Sequence, residues 1–381
     1  MMHPIIIIGA GLAGYQVARE LRKQNRTLPL TMVTADAGLY YSKPQLSTAL
    51  TSGKTADSLA TATAETMAAQ LNAEIRTHTT VHSIHTHEKC IRVDNDTLPY
   101  SQLILACGAD VMKPPLKGDG IENVLSINHL YHYTEFRGLI QNKKSIAILG
   151  AGLIGCEFAN DLSNANYQVH VIAPVKTPLD GLLPSSIGHL LQLALEKNGV
   201  HFHLPATLDY LQKTTSGYSL TLSNGEQLPA DLVLSAIGLK PHVRLAEQAG
   251  ILINHGILVN RYLETSANDV YALGDCAEVE GHVLPYLTPL LNCSRALAKS
   301  LCGIKTAVDY PAMPIVIKTP AHPIAVCPPP RQSDGAWQIE TTEKGLRALF
   351  YNANRQLLGF VLTHDATQDR TALAKTIPPL F

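Results

Sequence analysis

Two copies of one pattern, strand–GxGxxG–helix–strand, limit what this chain can fold into. The first runs from the apolar Ile5–Ile8 into Gly9-Ala10-Gly11-Leu12-Ala13-Gly14, then a helical stretch and the apolar Leu30–Val33. In that helix Ala13, Val17 and Leu21, with Ala18 beside them, form an apolar face, and Gln16, Arg19, Glu20 and Lys23 fall on the polar side. The second copy begins 141 positions on (150 − 9), where Ile146–Leu149 leads into Gly150-Ala151-Gly152-Leu153-Ile154-Gly155, a helix through Leu162 and the strand Val169–Ala173. With 26 glycines in 381 residues, chance supplies only about 0.1 such hexapeptides per chain. Glycine turns in plain α/β packing do not account for two in the same setting.

The spacing has a physical cause. The first glycine makes a tight turn, the second lets the backbone approach a pyrophosphate, and the third lets the helix pack close to the strand. The helix N-terminus then offers unpaired N–H groups and the positive end of its dipole. Two such sites suggest two dinucleotides, most simply a bound flavin and a diffusing nicotinamide. A later run, Thr265-Ser266-Ala267-Asn268-Asp269-Val270-Tyr271-Ala272-Leu273-Gly274-Asp275, reads as a short buried strand ending in a carboxylate able to hold sugar hydroxyls. An Asp capping the next turn is the plainer alternative.

Composition narrows the class. A chain of 381 residues, 46% hydrophobic and 16% charged, can bury a large core in two or three domains. A formal net charge of −1 argues against a general nucleic-acid binder. The longest run free of Asp, Glu, Lys and Arg, Met1 to Ala18, is broken by three glycines and too short to span a bilayer. No signal peptide is recognisable, so a cytoplasmic protein is expected. Seven cysteines without a CxxC or CxxxxC read as buried free thiols. The pairs His85/His87 and His201/His203 each fall on one strand face, but no third ligand follows, so no metal site is expected.

The paired glycine loops and the TxxxxxYAxGD run together resemble the FAD- and NAD(P)-dependent pyridine nucleotide oxidoreductases. Leu103-Ile104-Leu105-Ala106-Cys107-Gly108-Ala109 and Leu232-Val233-Leu234-Ser235-Ala236-Ile237-Gly238 resemble that family's crossover strands. Tyr41-Ser42-Lys43-Pro44-Gln45-Leu46-Ser47, the Gly152–Ala159 run and Met313–Pro320 are similar to the branch that includes rubredoxin, flavorubredoxin and ferredoxin reductases. The resemblance implies an α/β fold of two Rossmann-like, three-layer dinucleotide-binding domains and a small α+β C-terminal domain. The expected order is FAD-binding domain 1–112, NAD(P)H-binding domain 113–236, FAD-binding domain 237–309 and C-terminal domain 310–381. Without a dithiol relay, electrons must leave directly from the flavin.

By the same resemblance, Ile8, Gly9, Ala10, Gly11, Leu12 and Gly14 cradle the FAD pyrophosphate. Ala35 and Asp36 approach the adenosine ribose, Val81 offers its backbone to the adenine, Gly108 lines the site and Asp275 holds the ribitol chain. Lys43, Glu157, Leu287 and Lys318 are expected around the isoalloxazine. Pro44 would open a helix with Ser42 near its N-cap, placing Lys43 at an electropositive helix start. Glu157 lies in the first turn of the second loop helix, where the dipole alone would stabilise it; the resemblance points it between nicotinamide and flavin. Lys318 closes the strand Ile315–Ile317 and reads otherwise as an edge-strand gatekeeper. Related ferredoxin reductases often carry a lysine where this chain has Thr48. Gly150, Gly152, Leu153, Ile154, Gly155 and Gly238 are expected to bind NADH; Ala173 and Lys176 after the second strand do not by themselves choose between NADH and NADPH. No protein residue beyond the flavin is expected to be catalytic.

Pro289 should open a helix through Leu301 that carries Arg295. The tail from Tyr310 reads as the strands Ile315–Ile317, Ile324–Cys327, Trp337–Glu340, Ala348–Tyr351 and Leu357–Leu362, a turn at Asn352-Ala353-Asn354 and a last helix over Ala366–Lys375. The implied activity carries hydride from NADH to FAD and single electrons onward to rubredoxin, with supply of an alkane hydroxylase downstream and Lys43, Lys318, Arg295 and Arg331 facing an acidic partner. A monomer is expected. The rivals are a ferredoxin or flavorubredoxin reductase, an NADH oxidase, and a non-catalytic redox sensor that retains FAD.

Overall fold

The computed structural model describes residues 3–381, arranged as two compact units. One unit comprises Met1–Ser42, Ser58–Asp110 and Leu239–Tyr310; the other comprises Lys43–Asp57, Val111–Gly238 and Pro311–Phe381. The chain therefore leaves the first unit and returns to it twice.

In the first unit a five-stranded parallel sheet has the order Val270–Ala272, Gln102–Leu105, Ile5–Ile8, Leu30–Val33, Glu74–Arg76. Ile5–Ile8 sits near its middle and all four residues are buried, as a strand covered on both faces requires. The first loop helix, Leu12–Gln24, packs against the helix Leu287–Leu301. Glu20, which the helical pattern assigns to the polar side, is buried, and its carboxylate is held by Lys23 at 2.7 Å and Gln16 at 3.1 Å. The partner helix begins at Leu287, two residues before Pro289, which lies in the first turn where no intrahelical N–H is required. A meander of Val81–His85, Cys90–Val93 and Asp96–Pro99 belongs to the same unit, and His87 falls in its first turn rather than beside His85 on a strand.

The second unit carries the repeat. Its parallel sheet runs Val200–His203, Gln168–Ile172, Ser145–Leu149, Leu232–Ser235. A three-stranded antiparallel meander, Leu208–Lys213, Tyr218–Leu222 and Gln227–Ala230, shares a core with it through Ala147, Leu149, Leu211, Leu220 and Val233. The tail forms a five-stranded antiparallel sheet ordered Ile315–Ile317, Ile324–Cys327, Leu357–Thr363, Gly345–Tyr351, Ala336–Thr342. Its last strands are one to three residues longer than the alternation suggests because their hairpin pairing continues through the turns. Asn352 Oδ1 accepts from the N–H groups of Asn354 and Gln356 and closes one of those turns. The expected final helix is split into a 3-10 turn, His364–Asp369, and a short helix, Arg370–Ala374; Ala366, Leu373 and Ala374 close over Cys327, Phe360 and Leu362.

Candidate functional site

The two glycine loops are the same object built twice. Gly9 and Gly150 share a left-handed φ of +109°. A Cβ on Gly9 would strike the Ala106 carbonyl, and one on Gly150 would lie 2.6 Å from the Ala236 carbonyl oxygen. A Cβ on Gly14 would strike Gly9 O, and one on Gly155 would strike Gly150 O, so each third glycine lets its helix approach the turn. The middle glycines differ from both: Gly11 and Gly152 face open space within 4 Å. Each is also the N-cap of its helix, with no side chain capping the free N–H groups and no acidic residue in the first turn. Two uncapped helix N-termini, each opening beside a side-chain-free residue, fit a dinucleotide pyrophosphate. Ile8, Ala10 and Leu12 frame the first loop; Leu153 and the 42% exposed Ile154 follow the second.

In the first unit the C-terminal ends of the parallel strands bring the other candidates to the same edge. Asp36 follows Ala35 beyond Leu30–Val33, and its Oδ1 accepts from Thr34 Oγ1 at 2.7 Å and Gly38 N at 2.9 Å. That carboxylate is thus fixed by its own turn. Tyr15 donates to Gly38 O at 2.5 Å; burial pushes its phenol up to about 12, so it remains a donor. Gly108, at φ +74°, follows Gln102–Leu105. Asp275 sits in the turn Gly274–Cys276 directly after Val270–Ala272, and a Cβ on Gly274 would come within 2.8 Å of Ala13 on the first loop helix. Val81 starts its strand half-buried, and Leu287 begins its helix 46% exposed.

In the second unit Gly238, at φ +127°, follows Leu232–Ser235 beyond the end of the second sheet. The most constrained chemistry of this unit lies on the second loop helix, Leu153–Asn164. Glu157 is its fifth residue, beyond the first turn, so the dipole does little for it. Its fully buried carboxylate instead accepts from Ser47 Oγ at 2.5 Å, Lys318 N at 3.0 Å and Lys318 Nζ at 2.9 Å. Lys318 Nζ also donates to Ser47 Oγ at 3.0 Å and to the Pro44 carbonyl. Lys318 is therefore an ion-pair partner, not an edge-strand gatekeeper. Lys43 and Pro44 open a short 3-10 helix, Lys43–Thr48, in place of the expected α-helix.

Two residues next to Glu157 on the same helix were not anticipated. Asp161 accepts from Leu50 N and Thr51 N, both at 2.9 Å, and from Thr51 Oγ1. Asn160 Oδ1 accepts from Ala321 N at 3.1 Å. Positions 157, 160 and 161 are neighbours on a helical face, so one polar stripe grips both the Lys43–Ser52 segment and the start of the tail. The available signal was polar residues at i, i+3 and i+4 within an otherwise apolar helix; it reads equally well as a solvent face.

All seven cysteines are free thiols, and burial pushes Cys156 up to about 12 and Cys293 and Cys327 up to about 11, which makes them poor nucleophiles. His170 stacks between His201 and His203, yet among the described residues no group of three His, Cys, Asp or Glu is placed to hold a metal. Among the described residues, too, no helix is long and apolar enough to cross a membrane.

A doubled dinucleotide cradle without a dithiol defines a flavin- and nicotinamide-dependent reductase. Residues 3–295 match the pyridine nucleotide-disulphide oxidoreductase family, and residues 307–377 match the rubredoxin binding C-terminal domain. The chain belongs to the pyridine nucleotide-disulphide oxidoreductase family. It is 47% identical over 381 residues, all of both chains, to a rubredoxin-NAD(+) reductase of Alcanivorax borkumensis. It is 38% identical to a nitric oxide reductase FlRd-NAD(+) reductase of Escherichia coli, over 99% of this chain and 100% of that one. The reductase of a covalent putidaredoxin reductase–putidaredoxin complex superposes with a TM-score of 0.88 at 22% identity, over 99% of this chain and 94% of that chain, a likeness of fold.

Proposed function

We propose that this protein is an NADH-dependent, FAD-containing reductase that passes electrons to rubredoxin, acting in the cytoplasm. The observation that carries the reading is the rubredoxin binding C-terminal domain at 307–377, joined to a two-cradle reductase body in a chain collinear with a rubredoxin reductase. When bound, FAD supplies the exchange between a two-electron hydride donor and a one-electron acceptor. The chain supplies binding and orientation. In this reading the Gly9–Gly14 loop and Asp275 hold the FAD, with Ala35, Asp36, Val81, Gly108 and Leu287 around it. The Gly150–Gly155 loop and Gly238 hold NADH. Glu157, through Ser47 and Lys318, fixes the segment that carries Lys43.

Supply of an alkane hydroxylase is the downstream role this reading favours. The FlRd-NAD(+) reductase relative keeps a second acceptor, flavorubredoxin, in contention. An anaerobic visible titration tests the proposal: NADH bleaches the bound flavin stoichiometrically, and added rubredoxin restores its colour. Bleaching without reoxidation by rubredoxin, but with reoxidation by flavorubredoxin, would move the assignment to the second acceptor.

A further inference from the structure

The first unit brings together two sulfurs that no sequence spacing announces. Cys107 and Cys276 stand 169 positions apart (276 − 107). Each follows the end of one of two neighbouring parallel strands, Gln102–Leu105 and Val270–Ala272, which pair Leu105 with Ala272. Beyond that pair Leu273 N donates to Leu105 O at 3.1 Å, so the two strand ends stay side by side. Cys276 is wholly buried there, with its Sγ 3.4 Å from both Leu105 O and Leu273 O. Cys107 is half-buried, and its thiol donates to Cys276 Sγ, as do the N–H groups of Cys107 and Gly108. The two sulfurs are thus in hydrogen-bonding contact, and one of them is open to solvent. They also lie behind the first glycine loop. Ala106, just before Cys107, carries the carbonyl that a Cβ on Gly9 would strike, and Gly274, two residues before Cys276, packs against Ala13.

We propose that Cys107 and Cys276 are a disulfide-forming pair, oxidised by hydrogen peroxide, whose closure loosens the FAD cradle. Cys107 Sγ attacks the peroxide: an S–O bond forms, the O–O bond breaks, and the departing hydroxide leaves as water with the thiol proton. Cys276 Sγ then attacks the oxidised sulfur of Cys107. The S–S bond forms, the S–O bond breaks, and the second hydroxide leaves as water with the Cys276 proton. The two thiols have lost two electrons, and one peroxide has become two waters. Replacing a thiol–thiol hydrogen bond with a covalent bond draws the two strand ends together. Ala106 and Gly274 move with them, and close packing leaves neither any slack against Gly9 and Ala13. Gly108 and Asp275, the outer neighbours of the two sulfurs, shift as well. The inference rests on the reading of this edge as the FAD site.

The test treats the FAD-loaded protein, wild type, Cys107→Ser and Cys276→Ser, with hydrogen peroxide. Remaining thiols are alkylated on unfolding and the peptides are read by mass spectrometry, while FAD affinity is measured by absorbance before and after treatment. Wild type should yield a linked Cys107–Cys276 peptide and a dissociation constant for FAD raised about tenfold, both reversed by dithiothreitol. In each variant the treatment should leave FAD affinity where it was. Recovery of the two cysteines of wild type as separate alkylated or over-oxidised residues would overturn the pair, whether or not the variants fold. A linked protein that binds FAD as tightly as the reduced one would overturn the hold on the cradle, and so would an equal loss of affinity in the variants. If reduced wild type bound no FAD, the cofactor reading would fall and the coupling with it, while the linked peptide would still decide the pairing.

Discussion

The ammonium of Lys318 lies 2.9 Å from Glu157 Oε2, and the carboxylate it meets is wholly buried. The pair joins residues 161 positions apart and brings Ser47 in as a third member. A buried ion pair adds little over a well-packed apolar pair, because both charges must be stripped of water. Removing one partner is another matter, since the other charge is left buried and uncompensated.

Lys318→Met should therefore cost about 3–5 kcal/mol of unfolding free energy, and Glu157→Leu somewhat less, because Lys318 is a third exposed and can turn toward water. The double variant should recover much of the loss. Urea denaturation of the four proteins gives the coupling directly. Additive losses would mean that the two side chains do not act as a pair in solution.

Asp161 predicts a local rather than a global effect. It holds two backbone N–H groups and one hydroxyl of Leu50 and Thr51, and Asp161→Ala leaves those donors without their acceptor. A loss of about 2–3 kcal/mol is expected, with Thr51→Val costing about 1 kcal/mol. Hydrogen exchange should show the amides of Leu50 and Thr51 opening first in Asp161→Ala. Unchanged protection at those two amides would show that the carboxylate does not hold them.

These contacts mark where sequence reasoning stops. Gly14 and Gly155 could be read because each makes room for a carbonyl only five residues back, where spacing reports geometry; Gly9 and Gly150 were legible from the same spacing, although the carbonyls they clear, of Ala106 and Ala236, come from distant strands. The tail strands could be read because alternation is local too. The Ser47–Glu157–Lys318 knot could not, because its members have no periodic relation and are joined only by the fold. Glu157 itself was singled out, but its burial, Asn160 and Asp161 depend on which elements cover the second loop helix. Thr48 shows the same limit: the residue there says nothing of the ammonium that reaches the same segment from Lys318.

Acid should destabilise the protein through its buried imidazoles. Burial lowers His322 to about 4, helped by His364, and lowers His170 to about 4, helped by His203 and His201. Between pH 4 and the ordinary histidine value of about 6.5, the unfolded chain binds protons that the folded chain refuses, so stability falls as pH falls through that window. For the 6% exposed His322 the loss is on the order of 1–3 kcal/mol. Urea midpoints at pH 7 and pH 4.5 should differ less for His322→Leu than for wild type. Equal differences would mean that His322 protonates in the fold as readily as outside it.

The glycine loops separate a folding role from a binding role within six residues. Gly14→Ala drives a methyl group into the Gly9 carbonyl, so helix and strand must part and the first unit should fail to assemble. Gly11→Ala meets no protein atom within 4 Å, so the fold should survive while the methyl intrudes where the pyrophosphate is proposed to lie. The expected outcome is a folded protein whose FAD dissociation constant rises at least about tenfold, roughly 1.4 kcal/mol. Gly152→Ala is the matched variant in the second loop: FAD content should be unchanged while KM for NADH rises by a similar factor. Thermal melts and visible spectra of the three proteins, followed by NADH titration of Gly152→Ala, distinguish the roles. If Gly11→Ala bound FAD as tightly as wild type, the first loop would be only a packing device, and the flavin would have to be held elsewhere.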